Sequence, residues 1–251
     1  MQTDEVQMVT ITLARSKSEE ETLLAALCEL KRCGATVVAA DGGSRAEFID
    51  SLKMLGFSVV RPSKTGLVQQ VKAAVETALK SSPGKPILYT EPDKYPFFQG
   101  PLVEFVHKIP EGVGPFLSIV ARDGASFATF PAGQQWTESF MNRAASIAFQ
   151  QEEDGQDFCY GPLLLSPECA ALVLDAPDDL GWGWRFYVMA RAKAMSMKVT
   201  VISMDLSCPS NQRSEDSRAD RLYRLKQLRE NLAALELAAE NKKPALQLQG
   251  G

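Results

Sequence analysis

Glu91 and Asp93 are the residues whose type and spacing point most directly to chemistry. They stand two apart in Ile87-Leu88-Tyr89-Thr90-Glu91-Pro92-Asp93-Lys94-Tyr95-Pro96, so in extended geometry both carboxylates project to one side, about 7 Å apart at the backbone. Two hard oxygen ligands so placed can share one Mg²⁺ or Mn²⁺, whose remaining positions suit water and a diphosphate. Pro92 and Pro96 stop the apolar run before them from continuing as a strand, so the two acids fall at that strand's C-terminal edge. In an open α/β sheet this edge is where ligands bind. An acidic turn that merely closes a strand has the same composition, and on this stretch alone both readings stay open.

Other catalytic chemistry is scarce. His107 is the only histidine, so any Ser-His-Asp, Cys-His or multi-histidine metal site would have to be built on it, and its place at the end of a helical stretch marks it as a helix-end residue. Carboxylates are left as the acid-base groups. Cys28, Cys33, Cys159, Cys169 and Cys208 are odd in number and contain no C-x-x-C, which suits reduced thiols in a cytoplasmic protein. A net charge of −4 gives no electrostatic reason to expect a nucleic acid partner; Asp4 and Glu5 with no basic segment before an apolar run predict no signal peptide, and the interruption of Leu163 to Leu174 by Ser166, Pro167 and Glu168 predicts no membrane span.

The 251 residues, 45% hydrophobic and 23% charged, suffice for one large α/β domain. The N-terminal pattern repeats one plan. Residues 6–14 are β-rich, and the serines at 16 and 18, followed by three glutamates, start a helix over 19–32 that ends at Gly34. Strands are predicted over 35–40, 57–60 and 87–90, with helices over 45–55 and 64–79 between them. Such alternation makes a parallel sheet with helices on both faces, entered through right-handed crossovers. Beyond Pro96 the pattern loosens into a helix to His107, a strand over 116–121 leaving through Arg122-Asp123-Gly124, a brief strand or loop over 127–131 and a helix over 134–149. An acidic turn at 152–155 follows, then a strand over 160–165, a helix from Pro167 to about Leu174, a helix over 185–197 and a strand over 198–203. The expected domain therefore covers 1–206. Residues 207–217 read as a linker or loop, 218–241 as a helix striped with Leu225, Leu228, Leu232 and Leu235, and 242–251 as a disordered tail. The stripe needs a partner, either its own domain or a second copy in a homodimer.

This arrangement resembles the nucleotide-diphosphosugar transferases of the A-type glycosyltransferase fold, in particular the inverting family of dolichol-phosphate-mannose-synthase-like enzymes. Four places over about residues 6–206 carry the resemblance. Asp41-Gly42-Gly43-Ser44 is similar to the family's D-D-G-S turn, which holds base and ribose. Residues 61–74, with Lys64-Thr65-Gly66 opening the helix, resemble the segment N-x-G-x-x-x-A-x-x-x-G. The stretch from Glu91 to Pro96 resembles the D-x-D motif, with glutamate for the first aspartate, and implies a divalent metal (Mn²⁺ or Mg²⁺) held by Glu91 and Asp93 against the donor diphosphate. Residues 160–204, with Gly181-Trp182-Gly183-Trp184, resemble the acceptor half.

The resemblance implies a Rossmann-like, mostly parallel mixed sheet and transfer of a sugar from a nucleoside diphosphate donor to an unspecified acceptor. It assigns Asp41, Gly43, Ser44, Lys64 and Gly66 to the donor, Trp182 and Trp184 to a sugar ring or to the core, and a general base to Asp179 or its neighbour Asp178. A non-catalytic relative that binds a nucleotide sugar or a protein partner through the leucine-striped tail is the alternative.

Overall fold

A computed structural model describes residues 1–34, 36–109, 114–150, 155–214 and 216–240. The predicted alternation is realised as β1 (Gln7–Thr12), α1 (Lys17–Arg32), β2 (Thr36–Asp41), α2 (Ala46–Met54), β3 (Ser58–Val60), α3 (Leu67–Ser81) and β4 (Ile87–Thr90). Ser16 caps α1 by accepting the Glu19 amide at 3.2 Å, satisfying a donor that the first turn leaves unpaired. The chain continues through α4 (Tyr95–Phe98), α5 (Pro101–His107), β5 (Phe116–Arg122), α6 (Gly124–Phe127) and α7 (Ala132–Phe149). It then forms β6 (Leu163–Leu165), α8 (Pro167–Leu174), α9 (Trp184–Ala194), β7 (Lys198–Met204) and α10 (Arg218–Glu240). His107 ends α5 and its ring Nε2 lies 3.1 Å from Gln2 Oε1, away from any catalytic grouping.

Among the described residues the strands form one seven-stranded sheet in the order β3-β2-β1-β4-β6-β5-β7. All neighbours are parallel except β6, which runs antiparallel to both β4 and β5. The fold is thus the expected mostly parallel mixed sheet, and its central strands are apolar on both faces because both faces are covered. Alternate residues divide the core in two. Val9, Ile11, Val38, Tyr89 and Ile119 pack under α3, α7, α8, α9 and α10, whereas Met8, Val37, Leu88 and Val120 pack under α1, α2, α4 and α5.

The stretch 127–131, read as a brief strand or loop, is loop beyond Phe127, which ends the one-turn helix α6 that Asp123 Oδ1 starts by accepting the Ser126 amide at 2.7 Å. The segment read as a linker or loop over 207–217 is a loop packed on the domain, with Cys208 and Asp216 buried and the Cys208 amide bonded to Thr129 Oγ1 at 2.8 Å. The tail helix α10 is covered by its own domain, against α9 and α7, so nothing supports the homodimer read from its stripe. Its buried face is Asn231, Ala234, Leu235 and Ala238, with Leu228 and Leu232 partly buried beside it and Leu225 left exposed. Residues 152–154 of the expected acidic turn, residues 110–113 and the expected tail beyond 240 lie outside the described residues.

Candidate functional site

A cleft of about 890 Å³ opens at the C-terminal ends of the parallel strands. Its floor is made by the ends of β1, β2 and β4. Because β6 runs the other way, the segment leading into it, Asp157 to Gly161, reaches the same edge as the end of β5. The antiparallel strand therefore brings two distant parts of the chain to one site.

On the β2 side, Asp41 is buried and closes its own turn. Its Oδ1 accepts the amides of Gly43 at 2.9 Å and Ser44 at 2.8 Å, and its Oδ2 accepts the Thr12 hydroxyl at 3.1 Å. Ser44 faces inward, its Oγ accepting the Ala14 amide at 2.8 Å, and so pins the β1 and β2 loops together. Gly42 lies under Gln70, whose Nε2 a Cβ would meet at 2.4 Å, while Gln70 itself donates to Thr12 O at 2.9 Å. Gly43, Lys64 and Gly66 line the cleft beside this turn. Gly66 has φ +127°, a conformation that favours glycine, and precedes α3 with no side-chain cap among the described residues.

Glu91 and Asp93 both reach the cleft, in different states. Glu91 is 5% exposed and its Oε1 accepts from Arg185 Nη1 at 3.0 Å. Its Oε2 is sealed from solvent without a partner among the described residues and lies against Gly161, where a Cβ would stand only 2.2 Å away. Asp93 is mostly exposed, with Lys94 Nζ at 3.8 Å. A divalent ion needs carboxylate oxygens free to turn toward it, and a third hard ligand strengthens the site. Here the first carboxylate is neutralised by a guanidinium and covered by backbone, and among the described residues no group of three His, Cys, Asp or Glu could hold a metal. The donor set does not fit Mg²⁺ or Mn²⁺ in the manner the Glu-x-Asp spacing predicted.

Facing them is a cluster that sequence reasoning missed. Arg122, at the end of β5, donates from Nε to Asp157 Oδ2 at 2.7 Å, and from Nη2 to Asp157 Oδ1 at 3.0 Å and Glu138 Oε2 at 2.6 Å. Its guanidinium carbon lies 4.4 Å from the centre of the Phe130 ring and 4.7 Å from that of Phe127. Burial opposes this charge, but Glu138 and Asp157 outweigh it and hold the Arg122 pKa above its ordinary value. Asp157 is likewise pushed up by burial and pulled further down by Arg122 and the Cys159 amide, ending below the ordinary aspartate range. Arg122 Nη1 is buried and has no hydrogen-bond partner among the described residues. The only local signal was Arg122-Asp123-Gly124 at a strand end; Asp157 lay in a run with no motif.

The residues expected on the acceptor side separate. Trp182 lines the cleft, its ring 5.6 Å from the Arg185 guanidinium and its Nε1 donating to Tyr223 Oη at 2.6 Å. Trp184 does not reach the cleft: it is fully buried, edge-on to Tyr89 at 4.8 Å between centroids, because the two positions fall on opposite sides of the α9 start. Asp178 and Asp179 are exposed and line no part of the cleft. Asp178 accepts from Lys72 Nζ at 2.7 Å, and that bond holds its pKa below the ordinary range, the reverse of what a general base needs. The far wall belongs to α10, through Tyr223, Arg224, Gln227 and Asn231.

No family model matches the sequence, and no curated protein matches it. Solved structures do. The chain is similar to glucosyl-3-phosphoglycerate synthase from Mycobacterium tuberculosis in complex with Mn²⁺ and uridine-diphosphate-glucose, with TM-score 0.57 and 13% identity over 92% of this chain and 78% of that one. It is similar to the same enzyme with Mn²⁺, uridine-diphosphate and phosphoglyceric acid, at TM-score 0.54 and 13% identity over 93% and 78%. It also resembles a mycobacterial protein at TM-score 0.58 and 14% identity over 94% and 74%. Among the described residues no helix is long and apolar enough to cross a membrane. At such identities the likeness establishes architecture, and with its mixed seven-stranded sheet this chain has the A-type glycosyltransferase fold.

Proposed function

We propose that this protein is a glycosyltransferase that takes a sugar from a nucleoside diphosphate sugar. The observation that carries the reading is the cleft itself: it lies at the C-terminal strand edge of a fold in which similar structures hold uridine-diphosphate-glucose, and a closed Asp-Gly-Gly-Ser turn, an uncapped helix start and several cations line it. In this reading the turn of Asp41, Gly43 and Ser44 shapes the nucleoside pocket. Lys64, Gly66 and the first amides of α3 face the phosphates, where the helix dipole favours negative charge. Trp182 and α10 bound the acceptor.

Transfer breaks the bond between the sugar's anomeric carbon and the diphosphate oxygen and forms one to the acceptor oxygen. Where the acceptor is a hydroxyl, its proton needs a carboxylate. Asp41 is engaged by its turn, Glu91 by Arg185 and Glu138 by Arg122, which leaves Asp93 as the cleft carboxylate with no short ion pair. We assign it that role. Assaying nucleoside diphosphate release over a panel of uridine, guanosine and thymidine diphosphate sugars tests the reading, with release from at least one donor expected. Binding with no release from any donor would favour the non-catalytic alternative. With the active donor, Asp93→Asn is expected to lower transfer to a hydroxyl about a hundredfold. Asp178→Asn and Asp179→Asn should stay near wild-type turnover, and a large loss in either would restore the base to the loop after α8.

A further inference from the structure

Building on the donor reading above, we infer that Arg185 stands where a divalent cation would be expected, so that the donor diphosphate is held by side-chain cations of this chain and binds without metal. The geometry of Glu91 is the starting point. It is the first acid of the Glu-x-Asp motif, yet its carboxylate meets the Arg185 guanidinium at 3.0 Å, and both side chains are 7% exposed. A metal ion beside that carboxylate would stand next to a fixed positive charge in a poorly solvated place, where like charges repel strongly.

Arg185 also has donor capacity to spare. Its Nε is buried and has no hydrogen-bond partner among the described residues, a cost that an arriving anion would relieve. A guanidinium presents a planar fork that matches two phosphate oxygens, is always charged, and sheds water more readily than an ammonium. It sits on a helix and is flanked by the Trp182 ring, so it is pre-positioned rather than recruited. Lys94 reinforces it from the other side of the Glu91 turn, its ammonium over the Tyr160 ring at 5.1 Å and weakly placed toward Asp93. Arg15, Arg61 and Lys64 line the remainder of the cleft and form no ion pair among the described residues. Cations already in place stabilise a departing diphosphate as its charge develops, which is the electrostatic contribution a metal would otherwise make. Glu91 then has a different role: it holds the guanidinium in the empty cleft and competes with the diphosphate for it.

Isothermal titration of uridine diphosphate and guanosine diphosphate, each in EDTA and in MnCl₂, tests this without relying on turnover. For whichever nucleotide binds, affinities in the two buffers should agree within about threefold. Binding that appears only with Mn²⁺ would overturn the inference and leave the donor reading standing; no binding of either nucleotide in either buffer would overturn the donor reading, and this inference with it. A sign test follows. In EDTA, Glu91→Gln keeps the volume and one acceptor but releases Arg185 from its competitor, so nucleotide affinity should rise about tenfold; if Glu91 were a metal ligand, affinity in Mn²⁺ would fall instead. The double variant Glu91→Gln with Arg185→Gln preserves a neutral hydrogen-bonded pair, and should bind at least about tenfold more weakly than wild type in EDTA while keeping a native circular dichroism spectrum. Unchanged affinity in that folded variant, or in Lys94→Ala together with it, would remove the side-chain cations from the model.

Discussion

Asp157→Asn should lower the stability of this protein by about 3–5 kcal/mol, because it leaves a buried guanidinium without its main counter-charge. The Arg122 side chain is 0% exposed and that of Asp157 4% exposed, so neither charge can turn to water when the other is removed. Glu138 alone cannot replace the lost partner, since it meets only Nη2, whereas Asp157 meets Nε, Nη2 and the Arg122 backbone amide. For a chain of this length the melting temperature should fall by roughly 10 °C, read by calorimetry at neutral pH. The effect also has a pH signature. The folded Asp157 pKa is depressed, so the stability it contributes is complete above the ordinary aspartate range and is lost as pH falls through the lower folded value. Wild type and Asp157→Asn should therefore converge in stability on strong acidification. An unchanged melting temperature at neutral pH would show that this network is not what holds the β5 end against the segment leading into β6.

That network also shows where sequence reading stops. The four N-terminal strands and their helices were legible because each is a short apolar run between turn formers, a local signal that needs no knowledge of neighbours. Glu91 and Asp93 were legible as a pair at a strand end for the same reason. The direction of β6 was not, because Leu163-Leu164-Leu165 packs equally well in a parallel or an antiparallel register. Once β6 is reversed, Asp157 meets Arg122 across 35 positions and Gly161 lies against Glu91. Arg185 is 94 positions from Glu91, so nothing in the spacing of the Glu-x-Asp motif could announce that its first acid was already engaged. Asp178 and Asp179 lie outside the cleft for a different reason. Their composition suited a base, but Lys72 of α3 draws Asp178 to the outside of the loop. The leucine stripe identified α10 correctly as amphipathic and left its partner open, since an apolar face reads the same whether it meets its own domain or a second copy.

Deleting residues 218–251 should be the most damaging change of all, and it should act on melting rather than through loss of a dimer. Ala234 is 0%, Ala238 3% and Leu235 8% exposed, and all three belong to the core that lies over β1, β4 and β6. Uncovering Leu235 and the partly buried Leu228 and Leu232, together with the α7 and α9 surface beneath them, forfeits about 5 kcal/mol or more at roughly 1.5–3 kcal/mol per large apolar side chain. That is comparable with the whole stability of an ordinary domain, so the truncated chain should lose its cooperative transition and bind a hydrophobic dye. Gly183 provides the finer test. Its backbone is ordinary, with φ −63°, but a Cβ there would lie 2.2 Å from the Glu230 carbonyl oxygen and 2.9 Å from Ala234 Cβ. The glycine is therefore needed for the close approach of α10 rather than for its torsion angles, and a helix backbone cannot yield as a flexible side chain would. Gly183→Ala should cost about 1–3 kcal/mol through overpacking. Because Tyr223, Gln227 and Asn231 ride on the displaced helix, the same variant should impair acceptor-dependent transfer more than nucleotide binding at the opposite wall. Equal losses in both would mean that α10 supports the whole cleft, and a full-strength melting transition after deletion of 218–251 would mean that it supports none of it.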